Sequence, residues 1–146
     1  MIRKCTLFCL ILLVIIGVGQ KVIASSENLK WQLLATTDDC SYLDFTLDTV
    51  DSSKIFFSAG SGLYLSSDKG STWSLILSGF FRKTVIDPQN NSIIYTGPHG
   101  PSGYGLYKSI DGGINWNYYS EGMTDDNLAA MEVVTENSNI IYVSSF

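Results

Sequence analysis

Ser66-Ser67-Asp68-Lys69-Gly70-Ser71-Thr72-Trp73 is followed 43 positions later by Ser109-Ile110-Asp111-Gly112-Gly113-Ile114-Asn115-Trp116. From Gly62 to Trp73, seven of twelve positions are identical at that offset. Trp31, Trp73 and Trp116 mark the same period, with intervals of 42 and 43. Each copy is preceded by a short apolar run, Gly62-Leu63-Tyr64-Leu65 or Gly105-Leu106-Tyr107-Lys108. A chain that repeats at this length cannot bury one unit alone. It must stack similar units side by side.

The octapeptide reads as a hairpin turn. Its Asp can accept bonds from backbone a few residues on, and Gly70 or Gly113 supplies a positive φ at little steric cost. The Ser and Thr hydroxyls satisfy neighbouring backbone groups. The Trp opens the return strand with a large apolar face. Short strands around such turns, at a period of about 40–45 residues, are the sequence signature of β-propeller blades. The expected fold class is therefore all-β: four-stranded antiparallel meanders, with Asp68 and Asp111 in equivalent turns.

The pattern Ser-x-Asp-x-Gly-x-Thr-Trp resembles the Asp-box, or BNR repeat, of sialidase-like β-propellers, a group that also includes photosystem assembly factors and sortilin. The first copy fits throughout; the second has Asn115 where Thr is usual. The resemblance implies a structural role for Ser66, Asp68, Gly70, Thr72, Trp73, Ser109, Asp111, Gly113, Asn115 and Trp116. It places these turns at the end of the propeller opposite the usual ligand face.

The remaining strands follow from apolar, β-branched and aromatic runs between turn residues. One blade is expected over about 45–77, a second over about 84–119 and a partial third over about 128–146. A lone leading strand is expected at 31–35. Asn127 to Glu132 is the one stretch whose pattern also suits a helix. Phe146 falls inside the third repeat, so the chain reads as an incomplete ring of about two and a half blades, a truncated product.

Residues 1–24 read as a secretory signal peptide. Met1-Ile2-Arg3-Lys4 is basic, Cys5 to Gly19 is apolar, and Val22-Ile23-Ala24 supplies a cleavage site. The alternative is an N-terminal membrane anchor, but the apolar run is shorter than the roughly 20 residues needed to cross a bilayer. Removing Arg3, Lys4 and Lys21 with the leader leaves six cationic residues against 14 acidic ones, a net charge of −8. That balance argues against nucleic acid or an anionic membrane as partner. Only Cys40 stays behind, as a small apolar residue or an intermolecular bridge. One His and no His/Cys cluster give no metal site and no cofactor.

Sialidase chemistry would require, by resemblance, an arginine triad beside a tyrosine nucleophile. Beyond the leader the chain has the single arginine Arg82. Asp38/Asp39 and Asp125/Asp126 are acid pairs in polar loops, where solvated turn chemistry is the ordinary role. No catalytic residue is assigned. The connections at the end away from the Asp-boxes collect Phe80, Phe81, Arg82, His99 and Tyr104. They form a candidate platform for carbohydrate or protein, unless Phe80 and Phe81 pack between blades. The leading expectation is a secreted or periplasmic non-enzymatic binding or scaffold module. The alternative is an N-terminal fragment of a secreted sialidase-like or xyloglucanase-like glycoside hydrolase, with its catalytic residues elsewhere. The 25–146 product is expected to be oligomeric or poorly soluble, because Ile140-Ile141-Tyr142-Val143 is uncharged and strongly β-forming.

Overall fold

The computed structural model describes residues 23–24, 31–32, 44–98, 105–123, 128–137 and 140–145. The chain divides into two compact units, Met1–Cys40 and Ser41–Phe146. In the first, β1 (Ile23–Ala24) pairs antiparallel with β2 (Trp31–Gln32). Ala24 lies opposite Trp31 in this pairing, and 33–35 of the expected strand lie outside the described residues. Cleavage after Ala24 would remove that partner. The rest of the expected leader, Cys40 and the Asp38/Asp39 pair lie outside the described residues.

In the second unit every described element is a strand. β3 (Asp44–Leu47), β4 (Ile55–Ala59), β5 (Gly62–Ser66) and β6 (Ser74–Ser78) form one antiparallel meander. β7 (Phe81–Ile86), β8 (Ile94–Pro98), β9 (Leu106–Ser109) and β10 (Asn117–Tyr119) form a second with the same order. β11 (Leu128–Val133) and β12 (Ile141–Ser145) make a two-stranded antiparallel sheet. The ambiguous stretch beginning at Asn127 is therefore extended from Leu128, where Met131 and Val133 alternate inward and Glu132 outward.

The burial pattern explains the strand compositions. All five positions of β4 are buried, as are all five of β8, because each of these strands lies inside a sheet with cover on both faces. β3 alternates half-buried and exposed positions, since Phe45 and Leu47 point to a face with less cover. Between the two meanders lie Phe56, Leu63, Phe81 and Ile94, with Ile76, Tyr107 and Trp116 packed around them. Between the second meander and β11–β12 lie Val85, Tyr95, Leu128, Met131 and Val133. Burying side chains of this size contributes about 1.5–3 kcal/mol each. Gly97 is fixed by this second contact: a Cβ there would sit 2.6 Å from Leu128 Cδ1.

A chain of buried hydroxyls threads the first of these interfaces. Ser58 Oγ and Thr84 Oγ1 are 2.8 Å apart, and Thr84 Oγ1 and Thr96 Oγ1 are 2.9 Å apart. Thr96 Oγ1 donates to the Lys83 carbonyl (3.1 Å). Each hydroxyl has one proton, so donation runs from Ser58 to Thr84 to Thr96 to that carbonyl. Thr46 Oγ1 adds a 2.6 Å bond to the Thr84 carbonyl, and Lys83 Nζ lies 3.2 Å from Asp44 Oδ2 across the same seam.

Candidate functional site

Alternate turns of a meander share an end, so the molecule has a box end and an opposite end. At the box end the two octapeptide turns fold almost alike. Ser66 Oγ donates to Asp68 Oδ1 (2.8 Å) and accepts from the Gly70 amide (2.7 Å). Asp68 Oδ1 accepts the Thr72 amide (2.8 Å), and Oδ2 accepts the Thr72 hydroxyl (2.7 Å). In the second turn Ser109 Oγ donates to Asp111 Oδ1 (2.8 Å) and accepts from Gly113 N (2.8 Å). Asp111 accepts the Asn115 amide at Oδ1 (2.9 Å) and Asn115 Nδ2 at Oδ2 (2.7 Å). The Asn115 side-chain amide thus supplies the donor that the Thr72 hydroxyl supplies in the first copy. Gly70 (φ 86°) and Gly113 (φ 96°) take the positive φ that the turn requires. Lys69 (φ 59°) does so without glycine's freedom, where Gly112 (φ 75°) stands in the other copy. Trp116 Nε1 closes back onto the Gly113 carbonyl (3.0 Å).

These donors favour the charged carboxylate. Bonds from the Thr72 side chain and amide, then Ser66, hold the Asp68 carboxyl down at about 2. The Asn115 amide and side chain, then Ser109, do the same for Asp111, also at about 2.

A second class of turn shares this end, at the polar stretches Asp48 to Ser53 and Asp87 to Asn91 that the sequence marks as turns. Asp48, Asp87 and Val134 each donate a backbone bond to the residue six positions on: Lys54 (3.2 Å), Ile93 (2.9 Å) and Ile140 (3.0 Å). Asp48 Oδ1 accepts the Val50 and Asp51 amides (2.8 and 2.9 Å), and Asp87 Oδ1 accepts the Gln89 amide (2.8 Å). Each four-stranded sheet ties its two turns together, through Lys69 N to Ser53 O and Gly112 N to Ser92 O, both 2.9 Å. Side chains continue the ties between sheets. Asn91 Nδ2 donates to Asp48 Oδ2 (2.9 Å), and Gln89 Nε2 donates to the Thr135 carbonyl (2.8 Å). The signal was present as Asp48-x-x-Asp51, Asp87-x-x-Asn90 and Asn137. Its offset of 39 differs from the boxes' 43, because the β8–β9 connection is longer than β4–β5.

At the opposite end Phe81 packs between the blades, the alternative to a place on the expected platform. Phe81 opens β7 instead of lying in a loop. It is 1% exposed, packed edge-on against Tyr107 (centroids 5.6 Å apart) in the core between the sheets. Its removal from the ligand face follows from its bulk and from the extra residue in β7. Phe81 pairs with Pro98 and Lys83 with Gly97, so Arg82 is bulged between them. Phe80 and Arg82 are both half-buried beside this bulge. His99, Tyr104 and the Asp125/Asp126 pair lie outside the described residues.

Each of the six aspartates among the described residues is engaged. Asp48, Asp51, Asp68, Asp87 and Asp111 hold turn amides, and Asp44 holds Lys83. Proton donors for glycoside hydrolysis need a raised pKa. Asp68 and Asp111 are shifted the other way. Among the described residues no three His, Cys, Asp or Glu side chains gather as a metal site would need.

With this architecture in view, the chain can be set beside known proteins. Its four-stranded sheets superpose on sheets of GH74 enzymes. An ancestral GH74 enzyme superposes with a TM-score of 0.67 at 20% identity, covering 77% of this chain and 17% of that one. The Niastella koreensis GH74 enzyme gives 0.55 at 21%, covering 68% and 18%. These likenesses establish the β-propeller blade fold. In sequence, a protein described as "Xyloglucanase" from Hypocrea jecorina (strain QM6a) is 32% identical in an alignment of 95 residues, with 51% of this chain covered. The chain spans 11% of that relative's length. No protein-family model matches the chain.

Proposed function

We propose that this chain is a run of Asp-box blades from a secreted β-propeller of the glycoside-hydrolase kind, and that it works as scaffold rather than as the source of catalytic acids. The observation that carries this reading is the engagement of every described aspartate by turn amides or by Lys83. A general acid or base needs a carboxyl free to exchange a proton with substrate. The likeness to a xyloglucanase over 95 residues supports a β-glucan as the polysaccharide class. The boxes fix the geometry at one end, and the connections at the other end form the wall along which a polysaccharide lies. The apolar leader supports export. Affinity electrophoresis in gels containing xyloglucan tests the reading, with reducing-sugar release measured in parallel. Retardation without release is expected. Release by the chain itself would make it an enzyme, and migration unaffected by xyloglucan would remove the glucan from the proposal.

A further inference from the structure

The three seven-residue turns at the box end share a backbone and differ at their fourth and sixth positions. In each, the seventh residue donates its amide to the carbonyl of the fourth: Lys54 to Asp51 (2.9 Å), Ile93 to Asn90 (2.9 Å) and Ile140 to Asn137 (3.0 Å). The fourth and sixth residues are Asp51 and Ser53, then Asn90 and Ser92, then Asn137 and Asn139. Asp51 Oδ1 accepts the Ser53 amide (3.0 Å), and Asn90 Oδ1 accepts the Ser92 amide (3.1 Å), so the first two are the same Asx turn. They part at the remaining side-chain atom. Asp51 Oδ2 lies 3.9 Å from Lys54 Nζ, whereas Asn90 presents an amide nitrogen. Asn90 is exposed, and neither its Nδ2 nor the Ser92 hydroxyl bonds a described residue. Asn90-Asn91-Ser92 is the one Asn-x-Ser/Thr triplet in the sequence.

We propose that Asn90 is the acceptor of an N-linked glycan, an inference that rests on the proposed export of the chain. Transfer joins the Asn90 side-chain nitrogen to C1 of an oligosaccharide carried on a lipid pyrophosphate. The N–C bond forms, the bond from C1 to the pyrophosphate oxygen breaks, the lipid pyrophosphate leaves with that electron pair, and the amide gives up a proton. The turn loses nothing by it. Its closure uses the Asn90 carbonyl and Oδ1, and its tie to the neighbouring sheet uses Asn91 Nδ2 on Asp48 Oδ2 (2.9 Å). Asn91 is thus committed to the stack, while the Asn90 nitrogen is left to solvent. Asn137 holds the same place in its turn but has no hydroxyl two residues on. The glycan stands at the box end, so it leaves the opposite end uncovered.

The test is secretion of the full chain by a yeast, followed by release with peptide N-glycosidase in heavy-oxygen water, which marks the modified residue in the mass spectrum. A single glycan, at Asn90, is expected. Asn90→Gln and Ser92→Ala should each abolish it, and Ser92→Thr should raise its occupancy. Asp51→Asn completes the same triplet in the equivalent turn and should add a second glycan to a chain that keeps the wild-type circular dichroism spectrum. A secreted chain with Asn90 unmodified overturns the proposal. So does a wild type that is glycosylated but retained while Asn90→Gln is secreted, because the fold then excludes the glycan. A parallel chain carrying the yeast's own secretory leader separates the site from export. Modification only with that leader corrects the export reading and supports the site, whereas no modification under either leader overturns the site.

Discussion

The two four-stranded sheets follow one plan and fill it with different chemistry. On the front, the face that β7–β10 turns to β3–β6, the first two strands of β3–β6 place Phe45 and Phe57, and those of β7–β10 place Thr84 and Thr96. The aromatic pair stacks on an exposed face. The threonine pair is buried and joined to Ser58. Position in the repeat therefore sets direction, while the neighbour decides depth and whether the site is apolar or hydrogen-bonded. A buried hydroxyl is tolerated only with its partners present.

The largest effect should separate the two sides of one sheet. Phe56→Ala should cost about 3–5 kcal/mol in urea denaturation, whereas Phe45→Ala on the opposite face should cost about 1 kcal/mol. Equal losses would mean that the front of β3–β6 is as closed as its back. Next comes the hydroxyl chain. Thr84→Val should cost about 1–3 kcal/mol by leaving Ser58 and Thr96 short of a partner. Ser58→Ala with Thr84→Val and Thr96→Val should recover most of that loss, because no buried hydroxyl then lacks a partner. A triple variant worse than the single would show the hydroxyls to be net stabilising.

Acid should act on both sheets alike. The folded carboxyls of Asp68 and Asp111 titrate near 2, below their ordinary 3.8. Their contribution is complete above the ordinary value and is lost as pH falls toward 2. Thermal melts between pH 5 and about 2 should fall less steeply for Asp68→Asn/Asp111→Asn than for the wild type. Parallel curves would remove the boxes from the acid response. The smallest effect concerns the one turn position where the copies differ in backbone freedom. Lys69→Gly should raise stability by up to about 1 kcal/mol, and Gly112→Lys should lower it by a similar amount.

Much of this was legible in the residues. The octapeptides located two turns, their tryptophans located the return strands, and the β-branched runs located β4, β8 and β12. The polar turn at 48–54 was legible, but its ties to the octapeptide turn and to the next sheet were not, because an insertion gives the two kinds of turn different periods. Phe81 was misplaced because one extra residue at Arg82 starts β7 three residues earlier than the Thr84-Val85-Ile86 run suggests. Which threonines are buried could not be read from a period, since that depends on a neighbour one repeat away.

The ties at the box end also divide the molecule into a conserved register and a permissive one. The spans 48–54, 87–93 and 134–140 are all seven residues long, and both octapeptides keep their length. The opposite end passes from β4 to β5 through Gly60-Ser61 but from β8 to β9 through 99–105. New sequence can therefore be grafted into the β8–β9 connection, whose length already differs from that of β4–β5, without changing the spans of the box-end turns. A lineage built on such blades can revise its recognition loops while the joinery stays fixed.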